Sequence, residues 1–177
     1  MRASLIAAAA LGLFAALPAS AVTTIFITTL SSAGEPVPTS TATGAAIVTF
    51  DDVADTVTVQ LSFAGLANSA PFGHIHCCTA TPLTGNAGVA LNFTPLPAAT
   101  TGFYMSSFAL TPTAFDALLA GAAAGRAYVN IHTPGTYQGG EIRGFLPITT
   151  VVPEPGTYAL MLAGLGAVAY AARRRRG

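Results

Sequence analysis

Between Thr56 and Phe63 the chain alternates without a slip: Val57, Val59, Leu61 and Phe63 are apolar, Thr58, Gln60 and Ser62 polar. Residues two apart on an extended strand face the same way, so this stretch reads as a strand lying at a core boundary. Short β-branched and aromatic runs recur on either side of it, punctuated by Gly, Pro, Asn and Asp, which is the pattern of an all-β domain. Thr23 to Ser31, Ala45 to Phe50, Val89 to Phe93 and Phe103 to Leu110 read as strands, and Ala127 to Thr133 with Glu141 to Leu146 as a closing hairpin. Gly34-Glu35-Pro36-Val37-Pro38 is a loop, because its prolines forbid a central strand. One helix is expected, with Thr111 as its cap, Pro112 in its first turn, Phe115, Leu118 and Leu119 on one face, and Gly121 and Gly125 ending it. The expected fold is a single antiparallel β-sandwich or barrel-like domain with one short helix, over residues 22–150.

The two ends carry signals of a different kind. Residues 1–21 combine Arg2, an apolar run from Leu5 to Leu17 and the small residues Ala19-Ser20-Ala21, as in a cleaved signal peptide with Val22 as the new N-terminus. At the other end, over 151–177, Pro153-Glu154-Pro155 precedes an apolar run at about 157–172 and then Arg173 to Arg176. As a helix that run spans ~24 Å, marginal for a hydrocarbon layer of ~30 Å unless arginines snorkel or the bilayer thins. The arginine tail keeps the C-terminus inside and the domain outside. In their order these three parts resemble the PEP-CTERM sorting signal. That resemblance implies passage through the inner membrane, recognition and cleavage by an exosortase, and delivery to the cell surface or an exopolysaccharide matrix. A plain single-span anchor is the competing reading.

Charge narrows the functional classes. Only 8% of the 177 residues are charged, and five of the seven basic ones sit at the two ends. From Val22 to Val152, Arg126 and Arg143 face Glu35, Asp51, Asp52, Asp55, Asp116 and Glu141, a net charge of −4. Nucleic acid is excluded as a partner, since phosphate neutralisation needs clustered cations. No Gly-x-Ser-x-Gly elbow is present, and nothing brings a carboxylate pair together, so no catalytic residue is assigned. Asp51, Asp52 and Asp55 lack the spacing of a calcium loop and read as a solvated turn.

Gly73-His74-Ile75-His76, Tyr128-Val129-Asn130-Ile131-His132-Thr133 and Gly140-Glu141-Ile142-Arg143-Gly144 together resemble the CHRD domain. Glu35-Pro36-Val37-Pro38 and Phe63-Ala64-Gly65-Leu66 fall where that family has a Glu-x-Val-Pro-like loop and a Phe-x-Gly-Leu step. The resemblance spans Thr23 to Leu146 and implies one β-sandwich or barrel-like module with no established catalysis, whose ligand would be a polysaccharide or a surface protein.

The chain's three histidines and two cysteines lie in these segments. On a strand, His74, His76 and Cys78 share one face, with Cα atoms ~6.6 Å apart at each step, and Ile75 and Cys77 share the other. Two imidazoles so spaced, with His132 from another strand and Cys78 in reserve, can hold zinc or copper. The competing reading, preferred on sequence alone, needs no cofactor. It is a polar cluster of His74, His76, Asn130, His132, Glu141 and Arg143 built around a Glu141–Arg143 ion pair. Cys77 and Cys78 are either bonded to each other, bonded between molecules, or two small thiols.

Overall fold

The computed structural model describes residues 23–69, 72–147, 150–152 and 155–175. The expected signal peptide, residues 1–21, lies outside them, as do Pro153, Glu154 and Arg176. Nine strands are described: β1 (Thr23–Ser31), β2 (Thr43–Asp51), β3 (Thr56–Ala64), β4 (Phe72–His76), β5 (Val89–Asn92), β6 (Gly102–Ala109), β7 (Tyr128–Thr133), β8 (Tyr137–Phe145) and β9 (Thr150–Val152). Two α-helices accompany them, α1 (Pro112–Ala123) and α2 (Pro155–Arg174). All nine strands join one antiparallel sheet in the order β5-β4-β7-β8-β1-β2-β3-β6, with β9 paired to the start of β1.

The alternating stretch occupies the place its pattern demands. Val57, Val59, Leu61 and Phe63 of β3 are buried, each opposite a core-facing residue of β2. Phe26 faces Val48 across β1 and β2 and lies edge-on to Phe50, and Phe50 meets Phe115 of α1 in the same way. On the other half of the sheet Ile75, Val129, Ile131 and Ile142 turn inward and belong to the same apolar cluster. Of the two expected forms the domain takes the barrel-like one: a single sheet curled into a half-barrel around one core, not two sheets stacked as a sandwich.

Helix α1 closes over this core. Thr111 Oγ1 accepts from the Ala114 N–H, and Pro112 stands in the first turn. Contrary to expectation Gly121 does not end the helix but lies within it, where it faces the Cys77-Cys78 segment. Any Cβ at Gly121 would overlap the sulfurs of both Cys77 and Cys78. Gly125, at φ +66°, makes the actual exit. The Asp51 carboxylate accepts from the Val53 and Ala54 N–H groups at 3.0 Å each, so it serves the turn between β2 and β3.

Helix α2 covers the run where a membrane span was expected. Yet among the described residues no helix is long and apolar enough to cross a membrane. Gly164, Gly166 and the last-turn arginines Arg173 and Arg174 all dilute its apolar length.

Because Phe50 joins the aromatic contacts of the sheet to those of α1, Phe50→Ala should cost about 3–5 kcal/mol in chemical denaturation. Ile27→Ser, on the exposed outer face, should change stability by less than about 0.5 kcal/mol.

Candidate metal centre

Strand register brings the histidines together. β4 pairs with β7 so that His74 lies opposite Asn130, His76 opposite Tyr128 and Phe72 opposite His132. Cross-strand partners share a face, so all three imidazoles emerge on the side away from Ile75, Val129 and Ile131. Ring centroids are 5.0 Å apart for His74–His132, 5.5 Å for His74–His76 and 5.8 Å for His76–His132. One ligand nitrogen from each ring lies within 4.8 Å of the other two.

Hydrogen bonding fixes which nitrogens these are. His76 Nδ1 lies 2.9 Å from the Ala87 carbonyl and His132 Nδ1 lies 2.8 Å from the Gln138 carbonyl. A carbonyl only accepts, so both Nδ1 atoms carry the proton and both Nε2 atoms present a lone pair. Those Nε2 atoms, and Nδ1 of His74, are buried without any hydrogen-bond partner. Buried ring nitrogens left unsatisfied are costly, and a cation among them removes the cost. Coordination at ~2.0–2.1 Å needs nitrogens ~3.3 Å apart, so from separations of up to 4.8 Å the rings must close by as much as about 1.5 Å.

Two of the rings, His74 and His76, are also held neutral. The His74 pKa is lowered to about 4, chiefly by burial and then by repulsion from His132 and His76. Burial is likewise the main cause that lowers His76, with smaller repulsion from His132 and Arg143 working against hydrogen bonds to the Ala87 and Gly88 backbone. Beside the triad an open groove of about 540 Å³ is lined by Phe72, His74, Asn92, His132, Thr133, Pro134 and Gln138.

A second polar assembly stands behind the first. Arg143 Nη2 donates to Glu35 Oε2 at 2.6 Å, with both side chains buried, and Asn130 Nδ2 donates to Glu35 Oε1 at 2.5 Å. Arg143 Nη1 donates to the Gly85 carbonyl at 3.1 Å and to Asn86 Oδ1 at 2.9 Å, the loop whose next residue holds His76. The Arg143 guanidinium also sits 4.4 Å above the Tyr128 ring, which in turn stacks on His76 at 4.8 Å. Gly140, at φ +133°, leaves the space that Glu35 and Asn130 fill.

The expected polar cluster therefore divides in two. Arg143 pairs with Glu35 and not with Glu141. Glu141 instead accepts from Ser40 Oγ at 2.6 Å, from the Ala67 N–H at 2.9 Å, and from Thr133 Oγ1. Neither Glu141, Arg143 nor Asn130 hydrogen-bonds to a histidine. Cys78 is not a ligand: its sulfur is bonded to that of Cys77, across a cis peptide, and packs on Gly121. Strand β4 ends at His76, so the alternation that would have turned Cys78 toward the histidines stops short. Glu35 is the residue that strand periodicity missed, since a loop carboxylate has none. Its only signal was the Glu-Pro-Val-Pro resemblance.

Fold and site together define an all-β module with a three-histidine centre beside a groove. The CHRD-domain family model matches residues 26–146 and the PEP-CTERM protein-sorting motif matches residues 151–176. The chain belongs to the CHRD-domain family, and its C-terminal motif marks it for export and for processing by an exosortase-type enzyme. Neither the curated proteins nor the solved structures contain a match to it.

Two predictions follow from this geometry. Arg143→Met, which strands Glu35 in the interior, should cost about 3–5 kcal/mol in denaturant titration. The metal-free protein should lose stability as pH falls from about 6.5 toward 4. Over that window the unfolded chain takes up protons that folded His74 and His76, with depressed pKa values, resist. A melting temperature constant across this range contradicts the placement.

Proposed function

We propose that this protein is an exported, noncatalytic CHRD module that holds one transition-metal ion, zinc or copper, on His74, His76 and His132. The observation that carries the reading is the convergence of three buried ring nitrogens, none with a hydrogen-bond partner, within 4.8 Å. Asn130 Oδ1 and Arg143 Nε in the neighbouring cluster are also unpartnered, but only the three ring nitrogens converge on one point. Those two carboxylates are committed elsewhere and do not touch the imidazoles, which supports holding an ion over turning over a substrate.

In the same proposal the C-terminal segment is the delivery device. α2 enters the inner membrane before processing, with snorkelling arginines making up its short apolar length. An exosortase-type enzyme then cuts near Pro153-Glu154-Pro155 and passes the domain to the cell surface or an exopolysaccharide matrix, where it meets polysaccharide or surface protein.

Metal analysis of protein purified without added metal tests the centre. Zinc or copper should accompany the wild-type chain and be lost from His76→Ala with the circular dichroism unchanged. A metal-free wild type that also fails to take up either ion when offered refutes it. Mass spectrometry of the extracellular protein tests the delivery: the mature species should lack Arg173–Gly177, and an intact C-terminus there contradicts cleavage.

A further inference from the structure

We infer that the three-histidine site is built for monovalent copper, Cu(I), in preference to Zn(II) or Cu(II). The inference rests on the metal-centre reading above and adds the identity of the ion. It follows from where the charges around the site are, and where they are not.

The donors are three imidazoles, and neither a carboxylate nor a thiolate joins their group. Cys77 and Cys78, the nearest sources of a thiolate by sequence, are held in their disulfide against α1. Metal-ligating histidines pass their other N–H to a carboxylate, a backbone carbonyl or a water, and of these only the carboxylate adds a full negative charge that offsets the ion's. Here the Nδ1–H groups of His76 and His132 go to the backbone carbonyls of Ala87 and Gln138, which carry no net charge. The full charge next in line is of the wrong sign for a cation. The Arg143 guanidinium lies over the Tyr128 ring stacked on His76. Glu35, which balances Arg143, has its oxygens taken by Arg143 and Asn130.

An ion at this site therefore keeps its charge, in a place where the ligand nitrogens have no contact with solvent. The cost of withdrawing an ion from water rises with the square of its charge, so a divalent ion is penalised about four times as heavily as a monovalent one. Cu(I) is stable with three neutral nitrogen donors, whereas Zn(II) normally completes four. A preference for copper over zinc would alone prove little, because nitrogen sites bind Cu(II) above Zn(II) by intrinsic affinity. The ordering that carries the inference is Cu(I) above Cu(II).

The test is competition of the purified full chain against chelators of known affinity: bicinchoninate for Cu(I) under anaerobic ascorbate, and aminocarboxylates for Cu(II) and Zn(II). Cu(I) should bind at least ~10-fold more tightly than Cu(II), and more tightly than Zn(II). Gln138→Glu places a carboxylate in the groove beside His74 and His132 while leaving the backbone carbonyl that holds His132. It should raise affinity for both divalent ions about fivefold and leave Cu(I) within about twofold. Zn(II) or Cu(II) binding as tightly as Cu(I), or a Gln138→Glu chain that gains equally for all three, overturns the ion preference alone. Failure of every ion to bind refutes the centre itself.

Discussion

The interior of this domain is organised around an ion pair between residues 108 positions apart, Glu35 and Arg143. Glu35 enters from the loop after β1, Arg143 from β8, and Asn130 from β7 joins them through the other carboxylate oxygen. Burying two charges is expensive, and such a pair gives little net stability against an apolar replacement. What it supplies here is position. The guanidinium reaches the Gly85-Asn86 loop on one side and the Tyr128 ring on the other, and both of these adjoin His76. Its removal would leave a buried charge unpaired and the orientation of one imidazole undefined.

Two polar layers thus share the outer face of β4 and β7 without sharing hydrogen bonds. In one, every carboxylate oxygen accepts a hydrogen bond, while Asn130 Oδ1 and Arg143 Nε stay unpartnered. In the other, three imidazole nitrogens without a hydrogen-bond partner lie within 4.8 Å of one another. That convergence gives the histidines their functional interest.

Much of this was legible in advance. Alternation located β1, β3, β4 and the β7–β8 pair to within a residue or two at most ends, and the period of two placed His74 and His76 on one face with Ile75 on the other. Other features left no periodic trace. A carboxylate in a proline-rich loop looks solvated until the fold buries it, so Arg143 was matched with Glu141, its neighbour on the strand. Gly121 looked like a helix stop because the disulfide it accommodates comes from a distant segment. The choice between one curled sheet and two stacked ones depends on how the two apolar faces meet, which local pattern does not encode. β9 is three residues long, too short for alternation to register.

At the centre of the site, strand pairing directs three imidazoles at a common point. X-ray absorption at the zinc or copper edge of the loaded protein reads that point directly. The expected spectrum is a shell of nitrogen scatterers at ~2.0 Å with the outer-ring signature of three histidines and no sulfur. A sulfur shell near ~2.3 Å, or one dominated by oxygen with a single imidazole, would contradict it.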